Sequence, residues 1–297
     1  MENFTLKVSF FKKWNKASFF LSFLILFSFM AHSQSRKYSL VYSDNIKGGS
    51  TIFGNTLMQI ITNKKVDTIK MNDNKNTGYS SYGNDSEDME YVDIDGNTGN
   101  GAATRNSSSA DLVLPAGTNT IKLARLYWGG RVKNTDFDLS KTANQTVKIR
   151  KGTSAVYSDV AALGIDRTPI KNVSYGYTEY QAYADITAFV KNNGAGTYEV
   201  GNVPLSTGSI DNGGNHGGWS IVVVYGNDDV CYNSVRLYDG FQEVYDGGAS
   251  IVNTVTLTGL NIPSGTMASG DAKMGVVAWE GDANIIGDYL KINGYTF

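Results

Sequence analysis

The chain contains few of the residues that build covalently linked or zinc-held folds. Its 297 residues include one cysteine, two histidines and four prolines. An intramolecular disulfide is excluded, and zinc, which draws its ligands mainly from His and Cys, is disfavoured. Cys231 lies between apolar neighbours, so we expect a buried, inert thiol. The fold therefore depends on a core, on a metal held by oxygen ligands, or on neighbouring domains.

Long apolar runs are also absent, except at the amino terminus. Phe19–Met30 (FFLSFLILFSFM) follows a lysine-rich stretch and precedes Ala31-His32-Ser33, the small-x-small pattern of a signal-peptidase site. These features predict a signal peptide at residues 1–33, cleaved before Gln34. A membrane anchor is the alternative, although the run is short of the ~20 residues that span a bilayer.

The remaining chain, residues 34–297, is acidic. It has 22 basic and 27 acidic residues, a net charge of −5. A nucleic-acid partner is therefore disfavoured, because phosphate binding needs a basic surface. We expect one large β domain, with a loop-rich part at 34–110 and the main sandwich at 111–297.

Hydrophobic patterning predicts an all-β fold, an antiparallel two-sheet sandwich of jelly-roll type with long polar loops. Short β-branched and aromatic runs recur between turn signals, and no long stretch has a helical period. Trp219–Tyr225 (WSIVVVY) and Met274–Trp279 (MGVVAW) are continuously apolar, so both are predicted to be central strands covered on two faces. The one predicted helix is short: Asp185 or Thr187 caps it, and it ends before Gly194.

Candidate catalytic groups are sparse. His216 would be the one histidine left after cleavage, and its four glycine neighbours are more typical of a loop than of a rigid catalytic site. Two carboxylate pairs, Glu280 with Asp282 and Asp239 with Glu243, occur where strands meet turns, a common place for acidic residues. Glycoside hydrolysis needs two flanking carboxyls, but the sequence alone does not bring either pair across a cleft.

Calcium is a better match to the acidic residues, of which most are Asp. Asp93, Asp95 and Asn97 have the opening spacing of an EF-hand loop, but Gly96 misses the sixth position and Thr104 replaces the bidentate Glu. A non-EF calcium loop at Asp93, Asp95 and Asn97 is therefore one prediction. The alternative is a strand that ends at Ile94 and runs into a polar turn.

Two further patterns suggest ligand binding or modification. Trp128, Trp219 and Trp279 each lie beside glycines at the edge of an apolar strand, where exposed rings could stack on sugars. Tryptophans in such places more often close the end of a sandwich core, which is the preferred interpretation. Asp67-Thr68-Ile69 matches the flavobacterial O-glycosylation pattern, which makes Thr68 a weak candidate glycosylation site.

Several blocks together resemble a known family. They are YSLVYSDNIKGGSTIFGNTLM, MEYVDIDGN, NSSSADLVLPAG, IKLARLYWGG, YADITAFV, GGWSIVVVYGND, RLYDGFQ and VAWEGDANIIGDYLKING. In this order they resemble the amino-terminal domain of large cell-surface adhesins of Bacteroidetes. Such proteins carry a gliding-motility-associated carboxy-terminal domain and are delivered by the type IX secretion system.

The resemblance implies a location at the cell surface or outside the cell, and a role in adhesion or gliding. It implies no catalytic residues. Proteins of this kind continue beyond the block that ends at Gly294, whereas this chain ends at Phe297. We therefore expect it to be a fragment or a truncated product, with the remaining domains of a longer chain, the secretion machinery or surface polysaccharide as partners.

Three functions follow as hypotheses. The leading one is a non-enzymatic, exported module of a surface adhesin. The second is a calcium-dependent, lectin-like carbohydrate-binding domain. The least favoured is a glycan-active hydrolase.

Overall fold

The structure, a computed structural model, consists mainly of antiparallel β-sheet. It describes residues 4–10, 36–60, 88–96, 104–152, 154, 156–168, 176–209, 214–243, 252–257, 272–279, 288–292 and 295–296. The strands in these ranges are β1 Phe4–Phe10, β2 Arg36–Thr56, β3 Met58–Ile60, β4 Met89–Tyr91, β5 Ser107–Leu112, β6 Thr120–Lys133, β7 Thr146–Lys151, β8 Ser158–Ala161, β9 Gly164–Arg167, β10 Tyr177–Asp185, β11 Gly196–Gly201, β12 Gly217–Gly226, β13 Tyr232–Phe241, β14 Val252–Leu257, β15 Asp288–Ile292 and β16 Tyr295–Thr296. A 3-10 helix spans Thr142–Gln145, and helix α1 spans Thr187–Asn193.

Two sheets enclose the core. The larger has the order β13-β2-β12-β6-β10-β9, and the smaller has the order β5-β11-β7-β8. Phe53 of β2 links them, because its ring centroid lies 5.6 Å from that of Tyr198 on β11 and 6.2 Å from that of Trp219 on β12. The Trp219 indole also donates to Ser108 Oγ on β5 at 2.8 Å. The predicted all-β sandwich is confirmed.

Strand β2 runs for 21 residues through the part of the chain expected to be loop-rich. Its second half, Gly48–Thr56, pairs with β12 inside the larger sheet. Its first half, Arg36–Lys47, pairs with β13. Gly48 marks the change, with a φ of 144° that favours glycine. The part of the chain expected to be loop-rich thus supplies an internal strand of the larger sheet.

The first half of β2 and β13 form a two-stranded ribbon, Arg36–Lys47 with Tyr232–Phe241. The end of this ribbon lies over the outer face of the larger sheet. There Arg36 reaches Asp166 on β9 at 3.0 Å, and Asp239 lies 2.8 Å from Arg125 on β6. The ribbon therefore helps to cover the face turned away from the sandwich core.

Helix α1 begins and ends as the sequence predicts. Asp185 accepts the backbone N–H of Thr187 at 2.8 Å, and Gly194 follows the last helical residue with a φ of 62°. Val190 is fully buried in the core. The predicted short helix is confirmed; Ile186 is its N-cap residue, and Asp185, one position earlier, supplies the side-chain acceptor for Thr187.

The prediction that Met274–Trp279 is a central strand is wrong. Residues 272–279 are irregular, and Met274 and Val276 are 41% and 53% exposed. A Cβ on Gly275 would lie 2.5 Å from Ile52 Cδ1, so the segment runs against β2. An apolar run indicates contact with other apolar groups but does not specify a place in the sheet, and β2, β12, β6 and β10 already occupy the internal positions.

A further sheet has the order β14-β1-β15-β16, and β3 pairs with β4. Strand β1 belongs to the predicted signal peptide, whose cleavage remains a prediction. Among the described residues, no helix is long and apolar enough to cross a membrane.

Candidate functional site

Asp93 and Asp95 lie just after β4, beside the start of β5. The backbone of Ser107 accepts the N–H of Ile94 at 3.2 Å, which fixes the two segments side by side. Ser107 Oγ donates to Asp93 Oδ1 at 2.8 Å, and Thr104 Oγ1 donates to Asp95 Oδ2 at 2.9 Å. Each of the two carboxylates identified in the sequence thus accepts a hydrogen bond from a neighbouring hydroxyl group.

A third carboxylate, Glu199 on β11, completes what we call the carboxylate cluster, Asp93, Asp95 and Glu199. The Tyr157 hydroxyl connects its members, because it contacts Asp95 Oδ2 at 3.0 Å and also Glu199 Oε1. Arg150 pairs with Glu199 at 2.8 Å and lies over the Tyr157 ring, 4.4 Å from its centroid. Arg150 therefore places one positive charge beside the three carboxylates of the cluster, in direct contact with Glu199.

The surroundings of the carboxylate cluster raise the pKa of two of its members, Asp93 and Glu199. Burial raises the pKa of Asp93, and the hydrogen bond and charge of Asp95 raise it further. Burial also raises the pKa of Glu199, helped by the charges of Asp95 and Asp93 and opposed by Arg150.

The predicted calcium ligands are only partly brought together. Asp93 and Asp95 are adjacent, whereas Asn97 lies outside the described residues. Within the part of the chain that the structure describes, no three His, Cys, Asp or Glu side chains are grouped in a way that could hold a metal ion. One Asp93 oxygen, Oδ2, is buried without a hydrogen-bond partner. Calcium binding here remains a prediction.

An open groove of about 420 Å³ adjoins the carboxylate cluster. Asp93 lines it together with Tyr91 and Arg105, and Asp88 and Glu90 add negative charge. The Tyr91 hydroxyl donates to the backbone oxygen of Leu205 at 2.5 Å, which fixes its ring. The groove offers acidic, basic and aromatic groups to a polar ligand.

The three tryptophans have different environments. Trp128 and Trp219 are fully buried, so neither ring can stack on a sugar in this conformation. Trp279 is half-buried, and its indole donates to Gln181 Oε1 on β10 at 2.9 Å. It is the tryptophan of the three whose position is compatible with contact to an external ligand.

His216 belongs to an ion-pair network on the outer face of the larger sheet. Its Nε2 lies 3.2 Å from Glu179 Oε2, and Arg131 Nε donates to Glu179 Oε1 at 2.5 Å. Burial alone would raise the pKa of Glu179, but hydrogen bonds and charge from His216 and Arg131 outweigh it and lower the pKa to about 2. The histidine is thus held by a carboxylate, and Arg131 also binds the backbone oxygen of Gly214.

Asp239, one member of the other candidate carboxylate pair, takes part in a second ion-pair network. Arg36 and Arg125 contact its two oxygens at 2.7 and 2.8 Å, and Arg36 continues to Asp166. Both guanidinium groups lie over the Tyr183 ring, 4.5 and 4.8 Å from its centroid. The other proposed pair, Glu280 with Asp282, lies outside the described residues.

The prediction that Cys231 is buried is wrong, because its thiol is exposed. Cys231 lies in the turn between β12 and β13, where the chain leaves the core before the ribbon begins. Apolar neighbours in sequence do not bury a residue whose turn projects from the sheet. The candidate glycosylation site Thr68 lies outside the described residues.

Comparison with protein-family models, with curated proteins and with solved structures finds no match for this chain. The adhesin resemblance therefore remains a prediction.

Sequence reasoning missed Glu199, Tyr157 and Ser107 as neighbours of Asp95 and Asp93. Tyr157 and Asp95 are 62 positions apart, and no local pattern connects them. The signal that could have drawn attention to Glu199 is its place inside an apolar strand, because a buried carboxylate needs a partner.

Proposed function

We propose that this chain is an exported, non-enzymatic β-sandwich module of a cell-surface protein, with a role in adhesion or gliding. One observation carries the proposal: the side chains that could have been reactive, His216, Asp239 and Glu199, instead contact other side chains of the same chain. His216 is bound to Glu179, Asp239 lies between two arginines, and Glu199 is held by Arg150 and Tyr157. Such contacts fix strands to one another, as a structural module requires.

Export is supported by the signal-peptide pattern at residues 1–33, and the surface role by the family resemblance. The proposed partners are surface polysaccharide, the type IX secretion machinery and the remaining domains of a longer chain. The net negative charge of residues 34–297 also argues against a nucleic-acid partner.

The test combines location with function. Intact cells that produce the chain are treated with a non-permeant biotin reagent, and the labelled protein is analysed by N-terminal sequencing. We expect surface labelling and a first residue of Gln34. Deletion of the gene should then reduce attachment or gliding without loss of growth. Protein confined to the cell interior, or a deletion strain that attaches and glides normally, would refute the proposal.

The second candidate is a calcium-dependent lectin-like domain, which the open groove beside Asp93 favours. Calcium would bind deprotonated carboxylates, and burial raises the pKa of Asp93, so binding should strengthen as pH rises. Millimolar calcium should raise the melting temperature, because a ligand of the folded state stabilises it.

Asp95→Ala should abolish the calcium effect, and Asp111→Ala, an exposed aspartate that contacts Thr197, is the matched control. A glycan array with and without chelator then distinguishes the two candidates. A lectin-like domain should bind glycans only without chelator, whereas a scaffold module should bind none in a calcium-dependent way. An unchanged melting temperature in calcium would exclude the lectin candidate at this site.

A further inference from the structure

The open groove beside Asp93 is held in shape by hydrogen bonds on both sides. Met89 on β4 and Gly208 exchange two backbone hydrogen bonds, at 3.2 and 2.8 Å. The Tyr91 hydroxyl donates to the backbone oxygen of Leu205 at 2.5 Å. These contacts fix the two walls of the groove to each other, so a ligand would meet a preformed site and would not have to order it.

The charged side chains of the groove do not balance. Asp88, Glu90 and Asp93 line it, whereas Arg105 is the one cation among its lining residues, all of which the structure describes. The Arg105 guanidinium forms no ion pair with these carboxylates and lies over the Phe137 ring, 4.7 Å from its centroid. Asp88 and Glu90 alone outnumber it. This excess of negative charge favours a cationic ligand and disfavours an anionic one.

Two of the carboxylates have oxygen atoms available to a ligand. Asp88 is exposed, and within the described ranges it forms no hydrogen bond or ion pair. Glu90 accepts the Gln59 amide with Oε1 at 3.0 Å, which orients the carboxylate and leaves Oε2 for a ligand. The two acids are two positions apart along an extended segment, so their side chains point to the same side.

The other lining groups favour a sugar over a lysine side chain. Thr207 is exposed at the groove, and half-buried Tyr91 adds an aromatic surface. Sugar hydroxyl groups donate and accept, so they can pair with a carboxylate, with Thr207 and with Arg105. A lysine ammonium group can only donate, which leaves Arg105 without an acceptor.

We propose that this groove binds a polysaccharide whose sugar units carry a protonated amine. Asp88 and Glu90 accept hydrogen bonds from the ammonium group, and Arg105 and Thr207 bind the hydroxyl groups. The inference rests on the proposed function, which includes surface polysaccharide among the partners, and it names the class of sugar. Binding requires no calcium, because the ligand itself supplies the positive charge.

The experiment compares three ligands that differ in charge. Isothermal titration calorimetry is performed on the protein purified from the cells that produce it, at mildly acidic pH and with a chelator present. The ligands are glucosamine oligosaccharides, their N-acetylated counterparts and galacturonate oligosaccharides of equal length. We expect saturable binding of the first, about tenfold weaker binding of the second because a charge-assisted hydrogen bond is lost, and no binding of the third.

Equal binding of the glucosamine and N-acetylated oligosaccharides would overturn the role of the amine. A lysine oligopeptide that binds as tightly as the glucosamine oligosaccharide would overturn the assignment to a polysaccharide.

Three variants test the location of the site. Asp88→Asn keeps the shape and removes a charge, so it should weaken binding of the glucosamine oligosaccharide about threefold. Arg105→Gln removes the opposing cation and should strengthen binding, an effect that partial unfolding would not produce. Asp111→Asn is the control, because it removes the same charge on β5, where Asp111 contacts Thr197 outside the groove. Equal binding by Asp88→Asn and Asp111→Asn would contradict the site.

Failure of this inference is distinguishable from failure of the proposed function. Protein that is labelled at the cell surface and supports attachment, yet does not bind the glucosamine oligosaccharide, overturns the sugar assignment alone. Binding that occurs only when calcium replaces the chelator also overturns it and favours the lectin candidate. Protein confined to the cell interior refutes the proposed function and, with it, the surface polysaccharide as partner.

Discussion

The replacement Asp239→Asn tests the ionic network under the ribbon. The Asp239 side chain is 2% exposed and contacts Arg36 at 2.7 Å and Arg125 at 2.8 Å. Asparagine keeps the shape but removes the charge, which leaves the Arg125 guanidinium, itself 10% exposed, without its paired carboxylate. Breaking a buried pair from one side costs about 3–5 kcal/mol. Arg36 retains Asp166 and is 28% exposed, so we expect about 3 kcal/mol.

The assay is thermal unfolding followed by circular dichroism. For a domain of this size, about 3 kcal/mol corresponds to a decrease in melting temperature of roughly 6–12 °C. The matched control is Asp159→Asn, which breaks the Asp159 pair with Lys148. That pair has a similar distance, 2.7 Å, but the Asp159 side chain is 67% exposed. The control should lose less than about 1 kcal/mol. Equal losses in the two variants would refute the argument that burial makes the network stabilising.

Three further changes test other parts of the structure. Glu179 has a pKa lowered from 4.5 to about 2, so its ion pairs stabilise the fold by about 3 kcal/mol above pH 4.5, and this contribution is lost as pH falls towards 2. Glu179→Gln should have a lower free energy of unfolding in urea at pH 7, and that free energy should depend less on pH between 2 and 4.5. The same pH dependence in the variant and the parent would contradict the assignment. Cys231 should react with iodoacetamide in the native protein nearly as fast as in urea, and protection of the native thiol would contradict its exposure. Gly54→Ala should cost about 1–3 kcal/mol, because its Cβ would collide with the backbone oxygen of Trp219. Gly49→Ala is the control, since there the nearest atom to the Cβ is the Tyr225 side-chain hydroxyl at 3.1 Å and not a backbone atom. Equal melting temperatures for the two variants would exclude this steric effect.

The positions of most strands could be predicted from local pattern. The run WSIVVVY became β12, an internal strand, because continuous apolar sequence requires cover on two faces. The same reasoning failed for Met274–Trp279, where the apolar residues lie against a sheet instead of inside it. Of β10, Tyr177–Asp185, local pattern singled out only Asp185, as a candidate cap of the helix that follows.

The candidate site was predicted only in part. Asp93 and Asp95 were recognised because their spacing is a local pattern. Glu199 and Tyr157 were not, because they come from other strands and meet Asp95 through tertiary folding. The tryptophan pattern likewise did not distinguish the buried Trp128 and Trp219 from the half-buried Trp279, since in the sequence all three lie beside glycines and an apolar run.

The sequence by itself determined the fold class, the lack of disulfides and the short capped helix, because each depends on composition or on neighbours along the chain. The tertiary structure decided which strands pair and which charges meet. Arg36 and Asp239 are 203 positions apart, yet their contact fixes the ribbon to the larger sheet. Strand pairing depends on register and on the competition for internal places in the sheet, and a local sequence pattern specifies neither.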